Sequence, residues 1–499
     1  MKLILFLLIS NILNIYGGDM ERKLKVNTNY ELHSYDTLKG DGFDLMFFFK
    51  NIYAGLVSDF RNGHIDPMIA ESWDISSDGT IWKFKIRKGL KFTDGSNITV
   101  EEVYKSFMRV LWLTRDNKTR LHESLVGLEE WKDYKKGFKG IAIEDGEIVF
   151  RFKKRPNNIF ETLSQSMFQI VSSKCYDENG IWKDEKCYIG SGQYKIIKMT
   201  KDITILKNRH LYPEVKDSPD IVEIYSSKSN FLSQLYKRNA DFTLAQNISL
   251  DEQNKQELYK NNYLITERPP VNMIFLELNW RRSPFNDKKL RQFIRDIFIN
   301  RIKEELKDYK TDFSFIPKGG VGYVKFNVPN EIRNKVRSCD KPVELITIKR
   351  DTNSLTARAE KIFIELLNEH KINVDIKVSD KTMERRKSGN YDAVYVMSGL
   401  LINDPWADLR LMFMSDIGAH IPDPSGKIPS LIEKAEKENN PIERKKIAEE
   451  INKIIYDEAS VITFLHLSID YLHKKYIDTS FINLFSDPIE FRCVSVKNK

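Results

Sequence analysis

The sequence predicts a mixed α/β chain built as two to four domains or as two large lobes, and three observations carry that reading. Its 499 residues exceed one compact domain, which takes roughly 100–200 residues. From about residue 270 onward, strand-like and helix-like runs alternate in the βαβ rhythm of an α/β lobe. Hydrophobic residues make up 41% and charged residues 30%, with only 23 Gly and 16 Pro. That excludes a collagen-like chain and argues against a wholly disordered one. The 29 Phe, 21 Tyr and 7 Trp can fill a large core and also line pockets.

The elements follow from local patterns. Met1-Lys2, the apolar run from Leu3 to Leu8 and on to Ile15, and then Gly17-Gly18 before Asp19 describe a cleaved secretory signal. The run is short for a membrane span and is broken by Ser10, Asn11 and Asn14. No cysteine near this junction offers a lipid anchor, so the mature chain is expected to be soluble and outside the cytoplasm. Lys23 to Asn29 reads as a strand, and Phe43 to Tyr53 as a buried helix. Trp82, Phe84 and Ile86 alternate with Lys83, Lys85 and Arg87, the period of a half-buried strand. Thr99 followed by Glu101-Glu102 opens a helix with Val103, Phe107 and Val110 inward. Asp145-Gly146 turns between two strands, Ile141–Ile143 and Ile148–Phe152. Further strands are expected at 195–206, 221–225, 274–279, 343–348, 374–378, 391–396 and 461–467. Helices are expected at 230–238, after Asp287, at 357–370 and from Pro441 to Tyr456.

Catalytic motifs are missing. Gly319-Gly320-Val321-Gly322 lacks the Lys-Ser/Thr of a phosphate-binding loop and reads as a loop or hinge. Gly190-Ser191-Gly192 is not a G-x-S-x-G elbow. His420 and His466 are isolated and read as surface or satisfied core residues. No catalytic residue, metal site or cofactor is expected. The 79 basic and 71 acidic side chains leave a net charge of +8. Basic runs such as Lys135-Lys136, Arg281-Arg282 and Arg385-Arg386-Lys387 are interspersed with acids and read as solvated faces, not a nucleic-acid surface. Cys175 and Cys187 flank eleven residues and read as a loop closed by a disulfide, in keeping with export. Cys339 and Cys493 could pair only if distant segments meet.

A series of segments resembles the family 5 solute-binding proteins, the periplasmic oligopeptide- and dipeptide-binding components of ABC importers. The series begins with Tyr53-Ala-Gly-Leu-Val57, Ile69-Ala-Glu-Ser-Trp73, Ser77-Asp-Gly79, Lys88-Gly-Leu-Lys-Phe-Thr-Asp-Gly95 and Thr99-Val-Glu-Glu-Val103. Gly190-Ser-Gly-Gln-Tyr194, Asn208-Arg-His-Leu-Tyr212, Ser283-Pro-Phe-Asn-Asp287, Asn403-Asp-Pro405 and Pro441-Ile-Glu-Arg444 follow in the family's order. The resemblance implies a two-lobed periplasmic-binding-protein type II fold with an extra subdomain inserted in lobe I. After a signal at 1–18, lobe I would comprise 19–60, the insert 61–178, 179–270 and a C-terminal return at 471–499, with lobe II at 271–470.

It also implies a non-catalytic receptor, monomeric and periplasmic, closing over a peptide or other small solute and delivering it to a membrane permease. Main-chain bonds to an extended peptide give affinity without selecting side chains. By position, Gly42, Phe43 and Asp44 match the ligand-facing segment of lobe I. Gly399, Leu400, Leu401, Asn403 and Asp404, with Trp406 just beyond, match that of lobe II. Peptide-binding members place an aspartate in this second segment to hold the ligand's ammonium. Counting from Gly399, this chain has Asn403 there and Asp404 beside it, and a neutral amide binds an ammonium less strongly than a carboxylate. A non-peptide ligand such as a metal chelate, haem or sugar is the alternative, as is a sensor role; a secreted hydrolase is the rival from another class. Ala54 also stands where the family often has Glu.

Overall fold

In the computed structural model, residues 21–497 are described apart from 29–31, 33, 40–42, 61–63, 116–120, 122–123, 157–158, 227–230, 245–251, 271, 307–310, 328–341, 348–354, 380, 400–404, 415–420, 422, 439, 468–469 and 483–488. The expected signal therefore lies outside the described residues, as do Cys339 and His420. No helix among the described residues is long and apolar enough to cross a membrane.

The chain divides into two compact units. One comprises residues up to Leu244 with Tyr259–Thr266 and Tyr471–Lys499; the other comprises Ala245–Leu258 with Glu267–Asp470. In chain order, the first unit opens with β1 (Lys23–Thr28), α1 (Phe43–Ile52), β2 (Val57–Phe60), β3 (His64–Pro67), β4 (Ala70–Ile75), β5 (Ile81–Ile86) and α2 (Val100–Leu113). It continues with β6 (Ile141–Glu144), β7 (Glu147–Arg151), α3 (Ile159–Ser164), β8 (Tyr194–Met199), β9 (Ile203–Asn208), β10 (Ile221–Ser226), α4 (Phe231–Lys237) and β11 (Phe242–Leu244). After α5 (Glu252–Lys260) comes β12 (Tyr263–Thr266). The second unit holds β13 (Asn272–Leu278), α6 (Lys288–Glu305), β14 (Val343–Thr347), α7 (Leu355–Glu369), β15 (Val374–Val378), α8 (Thr382–Ser388), β16 (Ala393–Gly399), α9 (Trp406–Phe413), α10 (Ile428–Lys437), α11 (Pro441–Glu458) and β17 (Val461–Leu467). The chain then returns to the first unit through β18 (Tyr471–Lys474), β19 (Ile477–Asp478) and β20 (Ser495–Val496).

The first unit contains a seven-stranded sheet in the order β12-β18-β11-β1-β10-β9-β8. β1 runs parallel to both β10 and β11, so strands nearly two hundred residues apart meet side by side. Leu24 and Val26 face a core with Phe48, Tyr53, Tyr194, Val222 and Phe491. A separate antiparallel sheet, β4-β5-β7-β6, packs with α2 over its own core of Trp82, Phe84, Phe107, Phe150 and Phe168. The alternation at 82–86 is observed as expected, with Trp82, Phe84 and Ile86 buried. Asp145 and Gly146 both take positive φ, 52° and 78°, as a tight two-residue hairpin turn requires. Thr99 caps α2, accepting from Glu102 N at 3.4 Å. The single strand-like stretch expected at 195–206 is a hairpin, β8 and β9, turned at Thr200 and Ile203.

The second unit is a five-stranded mixed sheet, β15-β14-β16-β13-β17. β13 is buried at every position, because helices cover both faces: Phe293, Phe298 and Phe363 on one side, Met412, Ile432 and Ile451 on the other. Asp287 and Asn440 cap α6 and α11, accepting from Lys289 N at 2.8 Å and Ile442 N at 2.9 Å. One basic run departs from expectation. Arg386 is not on a solvated face: it is 4% exposed and binds Glu277, fully buried on β13, at 3.1 Å through Nε. The Tyr391 hydroxyl donates to the same carboxylate, so the buried charge is shared by two donors, as burial demands.

Candidate functional site

Each expected ligand segment sits between anchored neighbours inside its own unit. In the first unit, Gly42 lies outside the described residues, and Phe43 and Asp44 open α1. The other end of that helix is fixed by the Gly190–Tyr194 motif. A Cβ on Gly192 would lie 2.4 Å from the carbonyl carbon of Ile52, so only glycine permits the contact, and Gly192 N donates to Ile52 O at 3.0 Å. Ser191 Oγ accepts from Ala54 N at 2.9 Å and donates to Ile170 O at 2.6 Å. Asn51 ties α1 to the C-terminal return, donating to Ile489 O and accepting from Phe491 N, both at 2.8 Å. The Tyr53 hydroxyl donates to Tyr35 O at 3.0 Å; its removal from water raises its pKa well above the ordinary value.

Upstream of the segment, a buried arginine holds the chain. Arg109, fully buried on α2, places Nη2 2.8 Å from both carboxylate oxygens of Asp36. Asp36 Oδ1 also accepts from Leu38 N at 3.1 Å, closing the turn that precedes residue 40. The guanidinium is gripped from behind by the loop that the Cys175–Cys187 disulfide closes. Arg109 Nε donates to Gly180 O at 2.7 Å, and the Tyr176 and Trp182 rings lie 5.2 and 5.1 Å from its carbon. Cys493 is buried, and Cys339, with which it could pair, lies outside the described residues.

The three parallel strands β1, β10 and β11 end together at Thr28, Ser226 and Leu244, the side of an α/β sheet where ligands commonly bind. Here Asn27 is 1% exposed, and neither its amide nitrogen nor its oxygen has a hydrogen-bond partner among the described residues. Thr243 Oγ1 donates to its backbone carbonyl at 2.6 Å. A buried amide left unpaired costs free energy. No single-sequence pattern distinguishes Asn27 from any other strand asparagine, so it was not among the expected site residues.

In the second unit, Gly399 ends β16 opposite Asn272 of β13, which also faces Leu467 of β17. Leu400, Leu401, Asn403 and Asp404 lie outside the described residues. Trp406 opens α9 and is 3% exposed, packed with Met273, Phe275 and Phe413, with Arg444 5.6 Å from its ring centre. It anchors the far end of the segment from within the core. His466 is one residue from the end of β17, beside Met273. It is a core residue and not a surface one, only 6% exposed, and the Phe315 backbone lies within reach of its ring. Burial lowers its pKa to about 4, although the Phe315 backbone opposes that shift. The imidazole is therefore neutral at pH 7.

A small polar cavity in the first unit is lined by Lys50, Ser58, Gln169 and Glu490. Its charges are already paired: Lys50 lies 3.9 Å from Glu490, whose other oxygen takes Arg492 Nε at 2.6 Å. Burial opposes ionisation of Glu490, but Arg492, Lys50 and Ser58 outweigh it and hold the carboxyl below its usual range. The cluster fastens the C-terminal return to α1 and β2. No group of three potential metal ligands occurs among the described residues.

Residues 64–295 match the family model described as bacterial extracellular solute-binding proteins, family 5 middle. The chain is 22% identical over 303 residues to the periplasmic oligopeptide-binding protein OppA of Escherichia coli, covering 56% of this chain and 54% of the relative. The chain thus spans about half the length of the curated relatives it matches. Among solved structures, Haemophilus influenzae OppA in complex with the peptide RPPGFSPFR superposes with a TM-score of 0.73 at 15% identity, over 96% of this chain and 100% of that one. Brucella suis NikA in complex with Fe(III)-EDTA gives 0.75 at 16% identity, over 95% and 100%. At these identities the likeness establishes the fold, the two-lobed type II binding-protein architecture.

Proposed function

We infer, from the match of residues 64–295 to the family 5 model of bacterial extracellular solute-binding proteins, that this chain belongs to that family and is a periplasmic peptide receptor serving an ABC importer. The observation that carries the peptide reading is the match to relatives named for oligopeptide and dipeptide binding. Binding, not turnover, is the activity proposed. Gly42–Asp44 and Gly399–Asp404 are the proposed contacts to ligand backbone, one segment from each unit.

Extended peptides can satisfy strand-end backbone groups without side-chain selection. Asp404 is proposed to take the ligand's ammonium in place of Asn403, since a carboxylate makes the stronger, charge-assisted bond. Thermal unfolding with pools of short peptides tests the assignment, because a ligand at 100 times its Kd stabilises by about 2.7 kcal/mol. A rise in Tm with free-amine peptides, weakened by N-acetylation and by Asp404→Asn but not by Asn403→Ala, is the expected outcome. Stabilisation by metal chelates, haem or sugars with none by any peptide would overturn it.

A further inference from the structure

The outer strand of the second unit's sheet, β15, pairs with β14 in unbroken parallel register from Val343↔Val374 to Thr347↔Val378. No described strand lies on its other side. Two hydrogen bonds reveal how its backbone groups are used. Val343 N donates to Asn373 O at 2.7 Å, and Ser379 N donates to Thr347 O at 2.9 Å. In a parallel ladder, alternate residues of a strand turn both N–H and C=O to the same neighbour. Asn373, Asp375, Lys377 and Ser379 therefore face β14, while Val374, Ile376 and Val378 direct their N–H and C=O outward.

Two of those outward residues also expose apolar side chains: Ile376 is 46% and Val378 66% exposed. An open, regular, apolar edge is a template for another strand. The six-residue edges of the first unit are blunted. β4 shifts register between Ala70 and Ser72, and β8 between Ile196 and Lys198, irregularities that interrupt further pairing. β15 carries no such interruption.

The sequence of β15 is complementary to itself. Antiparallel pairing of two copies about Ile376 sets Ile376 against Ile376, Val374 against Val378, and Asp375 against Lys377 on both sides of the two-fold axis. Hydrogen bonding agrees with this register, because Ile376 of each copy turns both its N–H and its C=O outward. Charge agrees as well. Lys377 Nζ lies 2.9 Å from Asp375 Oδ2 of its own strand, so both groups share one sheet face and can exchange partners across the axis. Opposite charges directly across a strand pair stabilise it, and like charges destabilise it.

We propose that β15 is the contact of a two-fold homodimer, joining two second units edge to edge into one continuous ten-stranded sheet. Mixed sheets of this kind accept an antiparallel pair at a parallel edge. A five-residue ribbon buries less than the roughly 1,200–2,000 Å² of a standard interface, so the dimer forms at high protein concentration. This departs from the monomer implied by the family resemblance.

Sedimentation velocity of the full chain over a concentration series tests the contact. The wild type is expected to shift from monomer to dimer as concentration rises. Asp375→Lys alone, which sets Lys against Lys twice, is expected to remain monomeric, and Asp375→Lys with Lys377→Asp to dimerise again. Cross-linking tests the register. Cα atoms of a hydrogen-bonded antiparallel pair lie about 5.5 Å apart, within the roughly 4.4–6.8 Å a disulfide spans. Ile376→Cys is therefore expected to cross-link to itself under mild oxidation, with the 376–376 bridge identified by peptide mass. Val378→Cys, which faces position 374 of the second copy, is not. A wild type that stays monomeric, an Asp375→Lys variant that dimerises as well as the wild type, or equal cross-linking by both cysteine variants would each overturn the proposal. Failure of the charge swap to restore the dimer would overturn the register.

Discussion

Replacing Asp36 by alanine should unfold the first unit far more easily than its position in an irregular segment suggests. Arg109 is fully buried and Asp36 is 4% exposed. The carboxylate supplies two of the guanidinium's three hydrogen-bond contacts to described residues, the third being Gly180 O. Arg109 Nη1 already lacks a partner among the described residues, so the site holds no spare acceptor. Breaking a buried ion pair from one side costs about 3–5 kcal/mol, because it leaves a charge uncompensated in a dry environment. With a urea m-value of about 3 kcal/mol/M, the midpoint of the first unit's transition should fall by about 1–1.7 M. Asp36→Leu combined with Arg109→Met should cost less than Asp36→Ala alone, since it removes the stranded charge and keeps apolar volume. A fall of less than about 0.3 M for Asp36→Ala (roughly 1 kcal/mol at that m-value), or a double variant no better than the single one, would refute the reasoning.

Three further outcomes are expected. The disulfide loop grips the same arginine, so Cys175→Ser with Cys187→Ser should cost about 3 kcal/mol. Combined with Asp36→Ala in a double-mutant cycle, it should show a coupling of about 0.5–3 kcal/mol; strict additivity would place the loop and the ion pair in separate networks. His466 is held neutral, with a pKa lowered to about 4 by burial, against about 6.5 in an unfolded chain. The unfolded state therefore binds the extra proton between those values, so this contribution to stability is whole above pH 6.5 and is lost as pH falls towards 4. Between pH 7 and pH 5 the loss should be about 2 kcal/mol and should vanish in His466→Leu, measured by urea midpoints at the two pH values. Asn27→Leu, which replaces an unpaired buried amide by a side chain of similar shape, should raise stability by about 1–3 kcal/mol; a fall would show that the amide is satisfied.

Local signals were legible where one strand or helix decided its own form. The alternation from Trp82 to Ile86, the Asp145-Gly146 turn, the Thr99 cap and the buried run from Val461 each need only neighbours in sequence, and each element is present. Tertiary pairing was not legible. Nothing near Lys23 announces that β1 lies between β10 and β11, or that β18 joins β11 to β12. The same blindness hid Arg386, whose neighbours Arg385 and Lys387 suggest solvent, while its partner Glu277 lies 109 residues away on a buried strand. Asn27 shows the converse: burial without a hydrogen bond is a property of the packed surroundings and leaves no local pattern. In the expected site, the anchors Gly192 and Trp406 could be found through motif position, whereas Asp36 and Arg109 meet only in three dimensions.

Native mass spectrometry of the protein as purified from cells tests the central claim most directly, because it weighs whatever the protein carries. Peptide reception predicts bound species with the masses of short peptides, released on unfolding and sequenced in the same experiment. Carriage of a haem, a metal chelate or a sugar, with no peptide displaced on unfolding and none rebound from a pool, would contradict it.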